Sequence, residues 1–242
     1  MGIRIIGTGM YVPERILTNA DLEEMVDTSD EWITTRTGIK KRHIADAVTT
    51  TSDLALQAAR NALQMADLPA SSLDLIIVAT VTPDKVFPST ACLLQTKLGA
   101  SLCMCFDLEA ACSGLLYAIE VAHAMMAASP NYRHALVVGA EKLSAITDWT
   151  DRNTCVIFGD GAGAVILEKS GDYAYDFYLA GKFCADGQYA DILQLPAGGS
   201  ALPASHATVD ERLHYVKMGG SKTFQMAISL MANTCAELLE QT

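Results

Sequence analysis

Apolar and polar residues fall into blocks along the chain, and the period of those blocks changes from place to place. Ile3 to Gly9 is a short β-branched run closed by glycine, which predicts a first strand. Ser52 to Ala66 carries Leu54, Ala58, Ala62 and Met65 at helical spacing, so the pattern predicts a helix with those four on one face and a capping serine ahead of it. Leu75-Ile76-Ile77-Val78-Ala79 is a continuous apolar run of strand length, as expected of a strand covered on both faces. Ser89 to Leu98 reads as a helix ending at Gly99, Cys103 to Leu108 as a strand, and about Ser113 to Ala128 as a helix. His134 to Gly139 repeats the buried-strand pattern, and Ala162 to Leu167 is a further strand. This rhythm predicts an α/β layered fold with helices on both sides of a sheet. Beyond Ser170, Tyr173 to Phe183 is expected to be strand, Leu195 to His206 a loop rich in Pro, Gly, Ala and Ser, and Ser221 to Leu239 a strong helix.

Composition narrows the function classes. The chain has 242 residues, half of them apolar and 19% charged, which excludes a disordered chain and suggests one large domain or two packed ones. Lys plus Arg is 17 against 28 Asp plus Glu, a formal charge of −11. Such a surface repels phosphate backbones, so no nucleic-acid partner is expected. No apolar run approaches 18 residues, and the N-terminus lacks the pattern of a signal peptide, so no membrane partner is expected either. The seven cysteines, Cys92, Cys103, Cys105, Cys112, Cys155, Cys184 and Cys235, are odd in number and contain no C-x-x-C. Reduced thiols in the cytoplasm, without disulfides or a metal site, are the expectation.

Candidate chemistry concentrates in Phe106-Asp107-Leu108-Glu109-Ala110-Ala111-Cys112-Ser113-Gly114. A strand runs into small residues, a cysteine and a helix with no polar loop between. Small neighbours permit a sharp turn that presents Cys112 at a helix N-terminus, where unpaired amides and the macrodipole favour thiolate over thiol. The same amides could hold the oxyanion of a thioester carbonyl. A buried structural cysteine is the competing reading of this segment. Cys103 and Cys105 alternate within an apolar strand and read as structural. Gly159-Asp160-Gly161-Ala162-Gly163-Ala164 leads into a strand and not a helix, so it reads as a tight turn and not a nucleotide loop. His123 lies on an almost wholly apolar helix and reads as a packed core residue. Trp32 and Arg36 share a face if their segment is helical, and an indole with a guanidinium can sandwich a flat base; a surface aromatic beside a charge is the plainer alternative.

Together these segments resemble β-ketoacyl-acyl-carrier-protein synthase III, the condensing enzymes that initiate bacterial fatty acid synthesis. The resemblance is carried by Ile6-Gly7-Thr8-Gly9, Tyr11-Val12-Pro13, Thr28-Ser29-Asp30-Glu31-Trp32-Ile33 and Arg36-Thr37-Gly38-Ile39. It continues through Phe87-Pro88-Ser89, Ala111-Cys112-Ser113-Gly114, Phe158-Gly159-Asp160-Gly161, Pro196-Ala197-Gly198-Gly199-Ser200 and Tyr215-Val216-Lys217-Met218. It implies a thiolase-like αβαβα fold of two similar halves, with residues 1–170 as the first and 171–242 as the start of the second. It implies a ping-pong reaction in which Cys112 takes an acyl group from acyl-coenzyme A and the acyl-enzyme condenses with malonyl-acyl carrier protein, losing CO₂. Acyl-coenzyme A is then a substrate, and no cofactor is called for. Trp32 and Arg36 match positions that hold the coenzyme A adenine, with Thr28 nearby; Arg152 matches a further coenzyme A contact, and Phe224 an aromatic near the pantetheine tunnel. Phe87 matches a residue that reaches across a homodimer interface towards the partner's acyl pocket.

The family pattern also includes a His within a His-Gln-Ala-Asn motif and a later Asn, both beyond the helix at Ser221 to Leu239, and neither falls within these 242 residues. Neutral His and Asn donors would stabilise the charge that malonyl decarboxylation builds on a thioester oxygen. The resemblance therefore suggests a C-terminally truncated chain that is inactive in condensation. Two other readings remain: a thiolase-fold acyltransferase of secondary metabolism, and a non-catalytic thiolase-fold partner subunit. Lys217, Lys222 and Arg212 are the candidate basic patch for a carrier protein.

Overall fold

In chain order the computed structural model has β1 (Ile3–Tyr11), β2 (Ile16–Thr18), α1 (Asn19–Glu23), α2 (Asp30–Thr37) and β3 (Lys41–His43). Next come α3 (Thr51–Ala66), β4 (Leu75–Ala79), α4 (Thr90–Leu98), β5 (Met104–Leu108), α5 (Gly114–Ala128) and β6 (His134–Lys142). Then follow α6 (Arg152–Cys155), β7 (Asp160–Lys169), β8 (Leu193–Gln194), α7 (His206–Asp210), β9 (Lys217–Met218) and α8 (Gly220–Gln241). The structure describes residues 2–171 and 176–241. Contacts gather them into two units interleaved along the sequence. The first takes Met1–Arg15, His43–Lys142 and Asp160–Gly181; the second takes Ile16–Arg42, Leu143–Gly159 and Lys182–Thr242.

The first unit is a five-stranded mixed sheet in the order β1-β7-β6-β4-β5. β4 pairs in parallel with both β5 and β6, while β7 runs antiparallel to β6 and β1. Alternation along β4 builds two cores at once. Ile76 and Val78 enter one cluster with Ala55, Ala58, Ala59 and Ala62 of α3 and Leu94 of α4. Leu75, Ile77 and Ala79 enter the other with Ala118, Ala122 and Met126 of α5. The expected helix layers on both sheet faces are present, and every residue of β4 is buried.

Three local expectations need correction in this unit. The cap of α3 is Thr50, whose N–H and hydroxyl both donate to the Asp53 carboxylate, and Ser52 lies inside the helix. Met65 is 64% exposed and leaves the buried stripe of that helix. The Gly159 cluster is not a turn, because Asp160 already begins β7, whose Gly163 pairs with Met10 on one side and Gly139 on the other. Gly7 and Gly9 have a clear steric role. A Cβ at either would strike the carbonyl oxygen of Ala62 or Ala58, so their absence lets α3 lie directly on β1. The stretch Ala111–Ala128 is, by length and composition alone, apolar enough to cross a membrane, although Ser113, Glu120 and His123 interrupt its apolar run. Its Ala118, Ala122 and Met126 pack on the sheet, which identifies α5 as a layer helix of this unit.

In the second unit α2 is capped by Ser29, whose hydroxyl accepts from the Trp32 N–H at 3.0 Å, and is closed by Gly38 in the left-handed region at φ 73°. The buried Arg42 guanidinium donates to Asn19 Oδ1 at 2.9 Å and to the Val156 carbonyl at 2.7 Å. The strand expected over Tyr173 to Phe183 lies partly outside the described residues, and 176–183 forms no strand. Residues 195–205 are loop, as expected, and Ser205 caps α7. The final helix, α8, extends slightly beyond its expected ends.

Candidate active site

The turn that carries Cys112 is held from both ends. At the strand end, the Thr80 N–H donates to the Leu108 carbonyl at 3.2 Å, tying the exit of β5 to that of β4. At the helix end, Gly114 is buried against Ala79; a Cβ there would come within 3.1 Å of the Ala79 Cβ. Between them Ala111 adopts φ +45°, a left-handed conformation that costs an alanine about 1–2 kcal/mol. A single 3-10 turn, Ala111–Ser113, then passes into α5 with Cys112 exposed on it. The expected sharp strand-to-helix turn is therefore present, and it is sharper than a plain helix start. It also uses up amides: Ser113 N–H donates to the Ala110 carbonyl and Gly114 N–H to that of Ala111.

Around this turn the first unit holds a polar frame that the sequence did not signal. The Asp107 carboxylate accepts from the Thr90 and Ala91 amides at 2.6 and 2.8 Å, capping α4 and fastening it to β5. Glu141, half-buried at the end of β6, accepts from the Val81 N–H at 2.8 Å, from Thr80 Oγ1 at 3.3 Å and from the Thr82 hydroxyl. Burial pushes its carboxyl above the usual range, and these hydrogen bonds oppose that. Phe87, on the segment leading into α4, is 82% exposed. His123 is not enclosed in an apolar core: its Nε2 lies 3.1 Å from Asp176 Oδ1 and its ring stacks on Tyr178.

The second unit gathers most of the remaining candidates. Trp32 is half-buried on α2, and the guanidinium carbons of Arg36 and Arg152 lie 4.5 and 4.4 Å from its ring centroid. Arg36 is one helical turn away, whereas Arg152 arrives from the start of α6, 120 positions along. Arg152 also donates to the Asp27 carbonyl at 2.6 Å. Thr28, the next residue, has a buried Oγ1 with no hydrogen-bond partner among the described residues. So Thr28, Trp32, Arg36 and Arg152 belong to one neighbourhood, with Asp27 as a member that sequence reading missed. Phe224 lies on α8 and is 58% exposed, and among the described residues no ring contact joins it to this group. All three candidate carrier-protein cations are engaged locally: Arg212 and Lys217 both pair with Asp148, and Lys222 lies over the Tyr189 ring at 4.9 Å.

Comparison with known proteins gives these arrangements a lineage. The family model described as 3-oxoacyl-[acyl-carrier-protein] synthase III matches residues 106–187, which include the Cys112 turn and Arg152. A β-ketoacyl-[acyl-carrier-protein] synthase III from Caldanaerobacter subterraneus is 52% identical over 239 residues, covering 98% of this chain and 71% of that protein. The crystal structure of 3-oxoacyl-[acyl-carrier-protein] synthase III from Aquifex aeolicus superposes with a TM-score of 0.85 at 46% identity, over 99% of this chain and 72% of that one. The priming β-ketosynthase of the R1128 polyketide pathway gives the same TM-score at 30% identity, over 99% and 70%. The fold is thus thiolase-like, and the chain belongs to the β-ketoacyl-[acyl-carrier-protein] synthase III family.

Proposed function

We propose that Cys112 is the nucleophile of a condensing acyltransferase that takes an acyl group from acyl-coenzyme A and joins it to malonyl-acyl carrier protein with loss of CO₂. The observation that carries this is the exposed thiol on a strained turn at the head of α5. Strain of this kind persists where surrounding contacts over-determine it, as Leu108, Ala79 and Gly114 do here. The sulfur attacks the thioester carbonyl, the C–S bond to coenzyme A breaks, and coenzyme A leaves as its thiol. Because the Ser113 and Gly114 amides are committed within the turn, the Cys112 N–H is the donor this segment offers to the oxyanion. Helix α5 begins there, and its dipole favours the developing negative charge.

Trp32, Arg36 and Arg152 are read, on the family resemblance, as the residues that hold the coenzyme A adenine. A planar adenine takes the place of one guanidinium over the indole, giving an indole–base–guanidinium stack, and the displaced cation is free to meet phosphate. The unpartnered Thr28 hydroxyl supports a polar ligand beside them. Phe224 is assigned to the pantetheine path on the family resemblance. No cofactor is invoked, since the acyl donor is a substrate.

Two further parts of this reading concern context. β5 is an edge strand, and Phe87, Val86, Leu102 and Met104 are exposed apolar residues on or near it, which supports a homodimer with Phe87 reaching the partner's acyl pocket. A cytoplasmic location is read from the cysteines, which are odd in number and contain no C-x-x-C. Residues 171–242 are read as the start of the second thiolase-like half.

Incubation with acetyl-coenzyme A followed by intact-mass measurement tests the assignment. One acetyl adduct in the wild-type chain, absent in Cys112→Ala, supports it. An adduct that survives Cys112→Ala moves the nucleophile elsewhere, and no adduct in either favours a non-catalytic partner subunit. The R1128 likeness keeps a secondary-metabolic acyltransferase as the second reading; transfer to a polyketide carrier protein in preference to a fatty acid one would select it.

A further inference from the structure

Two thiols that the condensation does not use face each other in the first unit. Cys103 and Cys105 are two residues apart at the entry to β5, so their side chains leave the backbone on the same face. Both are half-buried against the cluster shared with α3 and α4. Their sulfurs are 3.6 Å apart. The Gln95 side-chain amide donates to Cys103 Sγ at 3.6 Å, and Cys105 Sγ donates to the Cys103 carbonyl at 3.6 Å. Burial, together with the neighbouring Cys103, pushes the Cys105 thiol up to about 12.

Geometry separates the uses of such a pair. A disulfide brings its sulfurs to about 2.05 Å with Cα atoms no more than about 6.8 Å apart. Two steps along a strand already span about 6.6 Å, at the far limit of that range. A structural zinc site needs four donors, and among the described residues no group of three His, Cys, Asp or Glu could hold a metal ion. One soft atom bonded to both sulfurs fits better. Two bonds of about 2.3 Å at the roughly 95–100° angle of a pyramidal trivalent atom place their sulfurs about 3.4–3.5 Å apart, close to the separation seen.

We propose that Cys103 and Cys105 form a bidentate dithiol site for trivalent organoarsenic compounds, which need two protein sulfurs and no third. An organoarsenous diol presents two As–OH groups. Each thiol gives its proton to one departing hydroxide, two As–O bonds break, two As–S bonds form, and two waters leave with arsenic still trivalent. A raised thiol is a poor partner for one-bond alkylators. Closure of the second bond is what holds the adduct, so bound arsenic resists a monothiol and yields to a competing dithiol.

The test uses phenylarsine oxide on the full chain carrying Cys112→Ala, which removes the exposed thiol of the turn and makes the result independent of the catalytic assignment. After a wash with excess glutathione, one phenylarsenic group is expected to remain by intact mass and to leave with 2,3-dimercaptopropanol. Adding Cys103→Ala or Cys105→Ala should lower retention at least tenfold, with Cys103→Val and Cys105→Val as volume-conserving controls for folding. Maleimide mapping after unfolding in urea, where every unbound thiol reacts, should show Cys103 and Cys105 protected together in the adduct and labelled in the untreated chain. The proposal is overturned if no glutathione-resistant adduct forms, if retention is unchanged in the four added variants, or if mapping finds protection at other cysteines.

Discussion

Cys112 and Trp32 are held in place by different means. The thiol owes its position to backbone: the Leu108 carbonyl, the left-handed Ala111 and the buried Gly114 lie within seven residues of one another. The indole owes its surroundings to long side chains, one from its own helix and one from α6. Backbone placement leaves no alternative geometry, so a change there removes function outright. Side-chain placement is shared among partners, each worth about 0.5–2 kcal/mol, so its loss is graded.

The strongest way to break this contrast is at the turn. Gly114→Val puts branched carbons where even one Cβ meets Ala79 at 3.1 Å. Overpacking of this kind costs about 1–3 kcal/mol. The expected outcome is a lower thermal midpoint and a fall in Cys112 acylation of at least about a hundredfold, since a misplacement of about 1 Å can cost that much. Acylation within a few-fold of wild type would show that the turn is not the determinant.

A smaller, graded effect is expected at the indole. Trp32→Ala removes a stacking surface worth about 1–3 kcal/mol per base. The KM for acetyl-coenzyme A should then rise roughly ten- to a hundredfold with kcat little changed. Acetyl-pantetheine, which has no adenine, should be used equally well by both forms. A parallel loss with acetyl-pantetheine would mean that Trp32 supports the fold and not the ligand. Arg152→Lys keeps the charge but loses the planar face, so a rise in KM of about five- to tenfold is expected, smaller than for Trp32→Ala.

The same contrast explains what was legible in the sequence. The turn lies within one short segment, so small residues around Cys112 between a strand and a helix were enough to expect it. Its left-handed alanine and its spent amides were not legible, because nothing in Ala110-Ala111-Cys112 specifies a dihedral angle. Trp32 and Arg36 were visible as a pair through helical spacing. Arg152 emerged from the family resemblance alone, and Asp27 not at all, because their meeting depends on the tertiary path between α2 and α6. β4 is legible because five apolar residues in a row have few alternatives. The exposure of Met65 is not legible, because helical spacing marks a face and cannot say where that face runs out of sheet to cover it. Glu141 gave no signal, since an acidic residue at the end of a strand usually faces water.

The smallest expected effect lies in the ion pairs of the second unit. Asp148 is 96% buried, and it accepts from Arg212 Nε at 2.9 Å and Arg212 Nη2 at 2.5 Å, with Lys217 Nζ 3.8 Å away. Hydrogen bonds from Arg212 first, and then from Thr150, hold its carboxyl far below the ordinary 3.8. A depressed carboxylate stabilises the fold where it is charged in both states, and that contribution fades as pH falls below the unfolded-state value towards the native one. Wild type should therefore exceed Asp148→Asn in stability by about 1–2 kcal/mol at pH 7, as expected for charge-assisted hydrogen bonds to a partly exposed arginine. The gap should narrow steadily below about pH 4. Urea unfolding of both forms from pH 7 to pH 3 measures it, and a gap that widens on acidification would reverse the sign and remove Asp148 as the anchor. The same substitution frees Arg212 and Lys217, so faster turnover with malonyl-acyl carrier protein, together with lower stability, would show that these cations serve an acidic partner once released.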